Sequence, residues 1–245
     1  MPTKYRDLIT ILSSASPIPS HPSDHIIQET IRSVRYHLPD SRMYLMHDGI
    51  RPEQLDHEAR YNIYFRKVAA KIANGPDRDL ILWPFQEFTH QAGMTMRILE
   101  EVTTPLVLFV EADTPLLDRP IDWGMICDVV NRGMANYVRL HYAEEIHKDH
   151  QHLMHGKLTE NLIKTSQFHM RPSIMLTRWF ENLLHSSFTT KSRSFIEDVC
   201  YSPISWSPWE DFRCCVYDPD GTGKNMLRSG DLNGRAGEQK FDILV

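Results

Sequence analysis

Four short apolar runs, each separated from the next by a segment with helical spacing, constrain the fold of this chain more than any other feature. Leu8 to Leu12 is rich in β-branched residues and is closed by Ser13, Ser14, Ser16 and two prolines, the pattern of a buried strand ending in a loop. Behind Pro22, with Ser23 or Asp24 as N-cap, Ile27, Ile31, Val34 and Leu38 recur at helical spacing and stop before Pro39. Met43 to Met46 is the second run and ends in His47-Asp48-Gly49. Pro52 opens a second helix with Tyr61, Phe65, Val68 and Ile72 on one stripe, stopped by Asn74-Gly75-Pro76. Leu80 to Trp83 makes a third strand, Met94, Ile98, Leu99 and Val102 mark a short helix, and Leu106 to Val110 is unbroken apolar sequence. The order βαβαβαβ implies right-handed crossovers and a mainly parallel sheet. A strand apolar on both faces belongs near the centre of such a sheet, which places Leu106 to Val110 there.

The second half is less regular. A helix is expected from about Asp122 to Arg132, ending at Gly133, and then a strand from Tyr137 to Leu140. A histidine-rich loop, the run Leu162 to Thr165, a helix over Thr177 to Leu184 and a polar tail rich in Gly, Asp and Arg complete the chain. With 245 residues the expectation is one α/β domain built of two unlike halves: 1–115 binding a nucleotide, and 116–245 binding an acceptor and carrying a C-terminal loop.

Composition narrows the class of partner. Lys plus Arg number 27 against 32 Asp plus Glu, a net charge of −5, which suits no surface that must neutralise the phosphates of a nucleic acid polymer. The four cysteines, Cys127, Cys200, Cys214 and Cys215, show no metal-binding spacing and read as reduced thiols. No run approaches the ~20 apolar residues of a transmembrane segment, and Leu8 to Leu12 is too short for a signal peptide core. The expected location is cytoplasmic.

In an open parallel sheet, ligands bind beyond the carboxyl ends of the strands. Three segments leave the sheet there: Ser13-Ser14, His47-Asp48-Gly49 and Glu111-Ala112-Asp113. If strand geometry persists past Val110, Glu111 and Asp113 point to one side with Cα atoms about 6 to 7 Å apart, and Ala112 leaves the approach open. Two carboxylates sharing a site are costly unless a cation balances them. A hard divalent ion, Mn²⁺ or Mg²⁺, takes oxygen ligands and also bridges a diphosphate.

On these residues the chain resembles the GT-A glycosyltransferases, whose Asp-x-Asp or Glu-x-Asp motif follows the fourth strand of a nucleotide-binding half. The resemblance covers the order of elements through about residue 115. It implies a Rossmann-like GT-A domain with a central, mainly parallel mixed sheet flanked by helices. It further implies a nucleoside-diphosphate sugar donor, UDP-linked, a carbohydrate acceptor and a Mn²⁺ or Mg²⁺ cofactor. Ser13 and Ser14 match the loop lining the nucleoside, and Asp48 the acidic residue for base or ribose, although Asp-Gly is also a common turn pair. Gln91-Ala92-Gly93 matches the small-residue turn that approaches the donor. Glu111 stands where the commonest pattern has Asp, so it is read as a metal ligand or as a ribose contact, with Asp113 the firmer ligand.

Inverting enzymes of this class use a carboxylate to deprotonate the acceptor hydroxyl, and Glu197-Asp198 is the candidate pair, with Asp198 as base. An acidic pair at a helix start has the same sequence signature. His169 and Arg171 lie where related enzymes begin their acceptor-side loop, so Arg171 would contact acceptor or phosphate, or form a structural ion pair. Trp206 and Trp209 suit an aromatic wall for a sugar or core packing alike. His141, His147, His150, His152 and His155 have no zinc-site spacing and read as a solvated or acceptor-facing loop. Lys224, Arg228 or Arg235, behind the turn-rich run Asp218 to Gly223, would fold over the donor diphosphate. The expected function is metal-assisted, inverting sugar transfer to a carbohydrate hydroxyl. Two alternatives remain: a sugar-phosphate nucleotidyltransferase, whose Gly- and Arg-rich first loop is missing from Ser13 to Pro22, and a non-catalytic carbohydrate-binding protein.

Overall fold

The computed structural model describes residues 5–140, 146–189 and 192–223. Its first half runs β1 (Ile9–Ala15), α1 (His25–His37), β2 (Met43–His47), α2 (Glu58–Asn74), β3 (Leu80–Pro84), α3 (His90–Leu99) and β4 (Leu106–Glu111). These four strands are mutually parallel in the order β3-β2-β1-β4, so the predicted alternation folds as expected. The second half supplies α4 (Trp123–Asn131), β5 (Tyr137–Arg139), β6 (Met154–Thr159), β7 (Leu162–Thr165) and β8 (Ser173–Leu176). These are followed by α5 (Thr177–Ser187), α6 (Ile196–Ser205), the short α7 (Trp209–Phe212) and β9 (Cys214–Tyr217).

The full order is β3-β2-β1-β4-β8-β5-β9-β7-β6, a mixed sheet. β8 is antiparallel to both β4 and β5 and separates the parallel half from the rest. β4 therefore lies between β1 and β8, which explains its unbroken apolar sequence: Leu106 to Val110 are all fully buried. Alternate side chains along β4 feed two cores. Leu106, Leu108 and Val110 pack with Ile27, Val34, Val68 and Ile126 from α1, α2 and α4. Val107 and Phe109 pack with Ile98, Phe180 and Ile204 from α3, α5 and α6 on the other face.

Three boundaries differ from the expectation. β1 continues through Ser13 and Ser14 to Ala15, because pairing to β2 and β4 on both sides satisfies the backbone whatever the side chains are. Residues 52–57 form a 3₁₀ turn with a kink at Gln54, and the α-helix proper starts at Glu58. α3 starts at His90, ahead of the predicted apolar stripe, because its first amides bond the Asp48 carboxylate. β6, β8, β9 and α7 were not expected from the sequence, and α6 was signalled only by its acidic first turn. Among the described residues no helix is long and apolar enough to cross a membrane, and all four cysteines are buried free thiols.

Candidate functional site

The carboxyl ends of β1, β2 and β4 open into a cavity of about 330 Å³, closed on its far side by α3, the 170–171 segment and the start of α6. A cavity of this size lies at the lower end of the range for small-ligand pockets. Its position follows from the parallel half of the sheet, where strand ends and helix N-termini converge.

Glu111 ends β4, with its Cα opposite Ser14 of β1, and the amide of Ala112 donates to the Ser14 carbonyl at 2.9 Å. Thr114 N–H then closes a turn onto the Glu111 carbonyl at 3.1 Å. Glu111, Ala112 and Asp113 all line the cavity. Burial pushes the Glu111 carboxyl up to about 7, the Asp113 charge adds to the rise, and Arg171 and the Gln91 amide act against it. Gln91 Nε2 donates to Glu111 Oε1 at 3.0 Å, while its Oε1 accepts from the Ile196 amide at 3.0 Å. One buried side chain thus joins the end of β4 to the start of α6.

Asp48 also faces the cavity, but its two oxygens are already occupied. Oδ1 accepts from Gly49 N–H at 2.9 Å and Thr89 N–H at 2.7 Å, and Oδ2 accepts from His90 N–H at 2.9 Å. Burial raises its pKa, and the three amides oppose that rise. The Asp48-Gly49 pair is fixed in place by crowding, since a Cβ at Gly49 would sit 2.4 Å from the Glu87 carbonyl carbon. Asp48 is therefore a brace for the 87–90 loop as well as a wall residue.

The second half contributes Glu197 and Asp198, both in the first turn of α6 and both on the cavity wall. Acidic residues suit a helix N-terminus, so the capping role and the site role coexist here. Glu197 Oε2 lies 2.8 Å from His169 Nδ1 and accepts the Met170 amide at 3.2 Å. Burial alone would raise Glu197, but the His169 hydrogen bond and the nearby positive charge of Arg139 bring it below the usual carboxylate range. Burial holds His169 below its ordinary value. The Tyr137 hydroxyl fixes the same segment by donating to the His169 carbonyl at 2.5 Å.

Of the residues predicted from sequence, Ser14, Asp48, Gln91, Glu111, Ala112, Asp113, Arg171, Glu197 and Asp198 come together on this wall. Ser13 does not, because successive side chains on a strand face opposite ways and Ser13 is fully buried inside the sheet. Gly93 lies inside α3, where a Cβ would meet Thr89 Cγ2 at 2.8 Å, so its small size serves packing. His169 stands behind the wall, holding Glu197. Trp209 turns inward: its Nε1 donates to the Cys214 carbonyl at 2.7 Å and Lys164 covers its ring. Trp206 is 88% exposed at the C-terminal end of α6. His147, His150 and His152 sit on an exposed 3₁₀ turn, and His155 Nε2 lies 3.1 Å from Ser166 Oγ. His141, Lys224, Arg228 and Arg235 lie outside the described residues.

Wall residues not singled out in the sequence include His21, Arg51, Tyr64 and His90. His21 stacks on Tyr64 with ring centroids 3.6 Å apart, and burial lowers its pKa to about 3. Arg51 lies 4.7 Å over Phe88. His21 and Tyr64 come from a loop and from the middle of a helix, so only the tertiary fold brings them together. The one sequence signal was His21 beside Pro22 in the loop after the first strand.

Five carboxylates face this cavity (Asp48, Glu111, Asp113, Glu197 and Asp198) against two arginines, Arg51 and Arg171. That excess favours a bound cation, most of all beside Glu111 and Asp113. Among the described residues no three His, Cys, Asp or Glu side chains gather as a metal cage. The donor set therefore fits a hard ion that takes one or two protein carboxylates and completes its shell with substrate oxygens and water, the habit of Mg²⁺.

No family model and no curated protein matches the chain. Solved structures do. S. aureus TarS 1-349 superposes with a TM-score of 0.54 at 10% identity, covering 86% of this chain and 58% of that one. The mannosyltransferase PcManGT from Pyrobaculum calidifontis, in complex with GDP-Man and Mn²⁺, gives 0.56 at 14%, covering 90% and 59%. GalNAc-T7 with UDP, GalNAc and Mn²⁺ gives 0.55 at 8%, covering 88% and 43%. The chain spans less than two thirds of each. Its fold is that of the GT-A nucleotide-sugar glycosyltransferases.

Proposed function

We propose that this chain transfers a sugar from a nucleoside-diphosphate donor, UDP-linked, to a hydroxyl of a carbohydrate acceptor, with inversion at the anomeric carbon and help from Mn²⁺ or Mg²⁺. The observation that carries the reading is the meeting, in one cavity, of the Glu111-Ala112-Asp113 exit of β4 with the Glu197-Asp198 turn of α6. A donor bound between them would have its diphosphate beside Asp113 and its sugar toward α6. Within this reading, 1–115 serves the donor and 116–245 the acceptor.

Asp113, with Glu111 beside it, would hold the divalent ion, which when bound neutralises charge on the departing diphosphate. Asp113 is taken as the firmer ligand of the two, and one Glu111 oxygen is bonded to Gln91. Arg171 faces the same wall and supplies a fixed positive charge for the phosphates. Asp198 is exposed at the cavity mouth, whereas Glu197 Oε2 is engaged by His169 and the Met170 amide. A base must present a lone pair to the incoming hydroxyl, so Asp198 accepts the acceptor proton and Glu197 fixes the turn that aims it. His21 and Tyr64 give the nucleoside end an aromatic wall.

Direct support for the class comes from the neighbours: PcManGT is seen with GDP-Man and Mn²⁺, and TarS 1-349 with UDP-GlcNAc. The test is nucleotide release from a panel of UDP- and GDP-sugars with Mn²⁺, alongside binding by calorimetry. We expect release with at least one donor and its loss in Asp113→Asn. A correctly folded sample that neither binds nor turns over any donor would sink the proposal.

A further inference from the structure

α6 leaves the cavity at Asp198 and carries a second surface along its outer face. Its buried stripe is Ile196, Cys200 and Ile204, one residue per turn against the core. Positions two further on, Asp198, Ser202 and Trp206, lie about 200° round the helix and so face away from that core. The helical turn persists to the end of this row, since Trp206 N–H bonds the Ser202 carbonyl at 3.1 Å. Tyr201 lies three residues beyond Asp198, about 140° round the helix from Trp206 and so on the flank of the row, and is 37% exposed, while Trp206 is 88% exposed. From the acid at the cavity mouth to the indole the row runs about 12 Å.

We propose that this row is an acceptor track, and that the acceptor is an oligosaccharide whose sugars beyond the reacting one lie along Ser202 and Trp206, with Tyr201 on one flank. The inference rests on reading the cavity as a sugar-transfer site, and it adds the size of the acceptor. Three observations choose a glycan as occupant. The row is continuous with the cavity wall through Asp198. It offers the Ser202 hydroxyl and the flat Trp206 ring, with the Tyr201 ring beside them, matching the hydroxyl edges and apolar C–H faces of sugar rings. The other exposed large apolar residues, Tyr36, Leu55, Ile63 and Met134, lie on other elements, so the aromatic exposure that continues from the cavity is confined to α6. The track is longer than one sugar ring, so a monosaccharide would leave Trp206 uncovered.

The test compares the full chain with Trp206→Ala and Trp206→Phe on arrays of glucose, N-acetylglucosamine, galactose and mannose homo-oligomers, each from monomer upward. The wild type should bind at least one oligomer series with affinity that rises with length, by roughly five- to tenfold over its monosaccharide. Trp206→Ala should abolish that rise and Trp206→Phe should keep most of it, with unchanged melting in both since the ring is solvent-facing. Binding independent of length, no glycan binding by a folded sample, or equal behaviour of Trp206→Ala would each overturn the track. Self-association lost in Trp206→Ala without any length effect would assign the row to a protein contact instead. Nucleotide release from the donor panel is read separately: its failure removes the transfer reading, whereas a length effect would still stand as glycan binding.

Discussion

Gln91 uses both ends of its amide inside the site, one on the Glu111 carboxylate and one on the Ile196 amide, and is 5% exposed while doing so. Replacing it with Leu keeps the volume but leaves a buried N–H and a buried carboxylate oxygen without their partner. A loss of about 2 kcal/mol of unfolding free energy is expected, measured by urea denaturation, with Glu111 rising further in pKa. His169 has a different signature, because it acts through Glu197. The Glu197 carboxyl is depressed in the folded chain, so its contribution to stability is present above the unfolded pKa and is lost as pH falls through the lower folded value. In His169→Leu the depression shrinks, and the acid limb of any transfer activity should move to higher pH. Carboxyl-carbon NMR of Glu197 checks the cause directly, and an unchanged titration would show that His169 does not hold the charge. Of the site residues, Ser14, Asp48, Glu111 and Asp113 were legible as strand exits, and Gln91, Arg171, Glu197 and Asp198 through the family resemblance. His21 and Tyr64 were not, because their stacking depends on a loop meeting the middle of a helix.

Two elements, β2 and α3, are joined by Asp48, which receives the Thr89 and His90 amides where α3 begins, as well as the amide of Gly49. Asn at this position offers one oxygen and sets an NH₂ group against an N–H donor. Asp48→Asn should therefore cost about 2 kcal/mol or more and speed hydrogen exchange at the 88–91 amides, with little change elsewhere. The contact of β2 with α2 sets the response to acid. His47 is fully buried among Tyr64 and Phe65 with neither ring nitrogen hydrogen-bonded, and burial lowers its pKa to about 3. His21, on the same Tyr64, is lowered to about 3 as well. The unfolded chain takes up these protons first, so stability should fall as pH drops from about 6.5 toward 3, by up to about 1.4 kcal/mol per pH unit for each imidazole. His47→Phe should flatten that slope, as followed by denaturation at several pH values, and should not destabilise the protein at pH 7.

At the scale of the whole molecule, the parallel half was legible because β1, β2 and β4 are buried on both faces, which writes continuous apolar runs into the sequence, and the edge strand β3, only partly buried, still carries four apolar residues in a row. β8 and β9 are four residues each, too short for a periodicity, and β6 is largely exposed, so pairing rather than pattern defines them. Ligand linkage should be visible globally: a UDP-sugar with Mn²⁺ at a hundredfold excess over its dissociation constant should add about 2.7 kcal/mol, seen as a higher melting temperature. EDTA should reverse the gain, and Asp113→Ala should not show it. The placement of β8 against β4 carries a further consequence, for the chain as it is being made. The edge of β4 that β8 covers stays bare until about 65 more residues have been synthesised, which at ordinary translation speeds takes roughly 3 to 13 seconds. During that interval the nascent chain presents its most apolar strand as an open edge, so residues 1–115 expressed alone should aggregate, and chaperone demand should peak before the ribosome reaches Leu176.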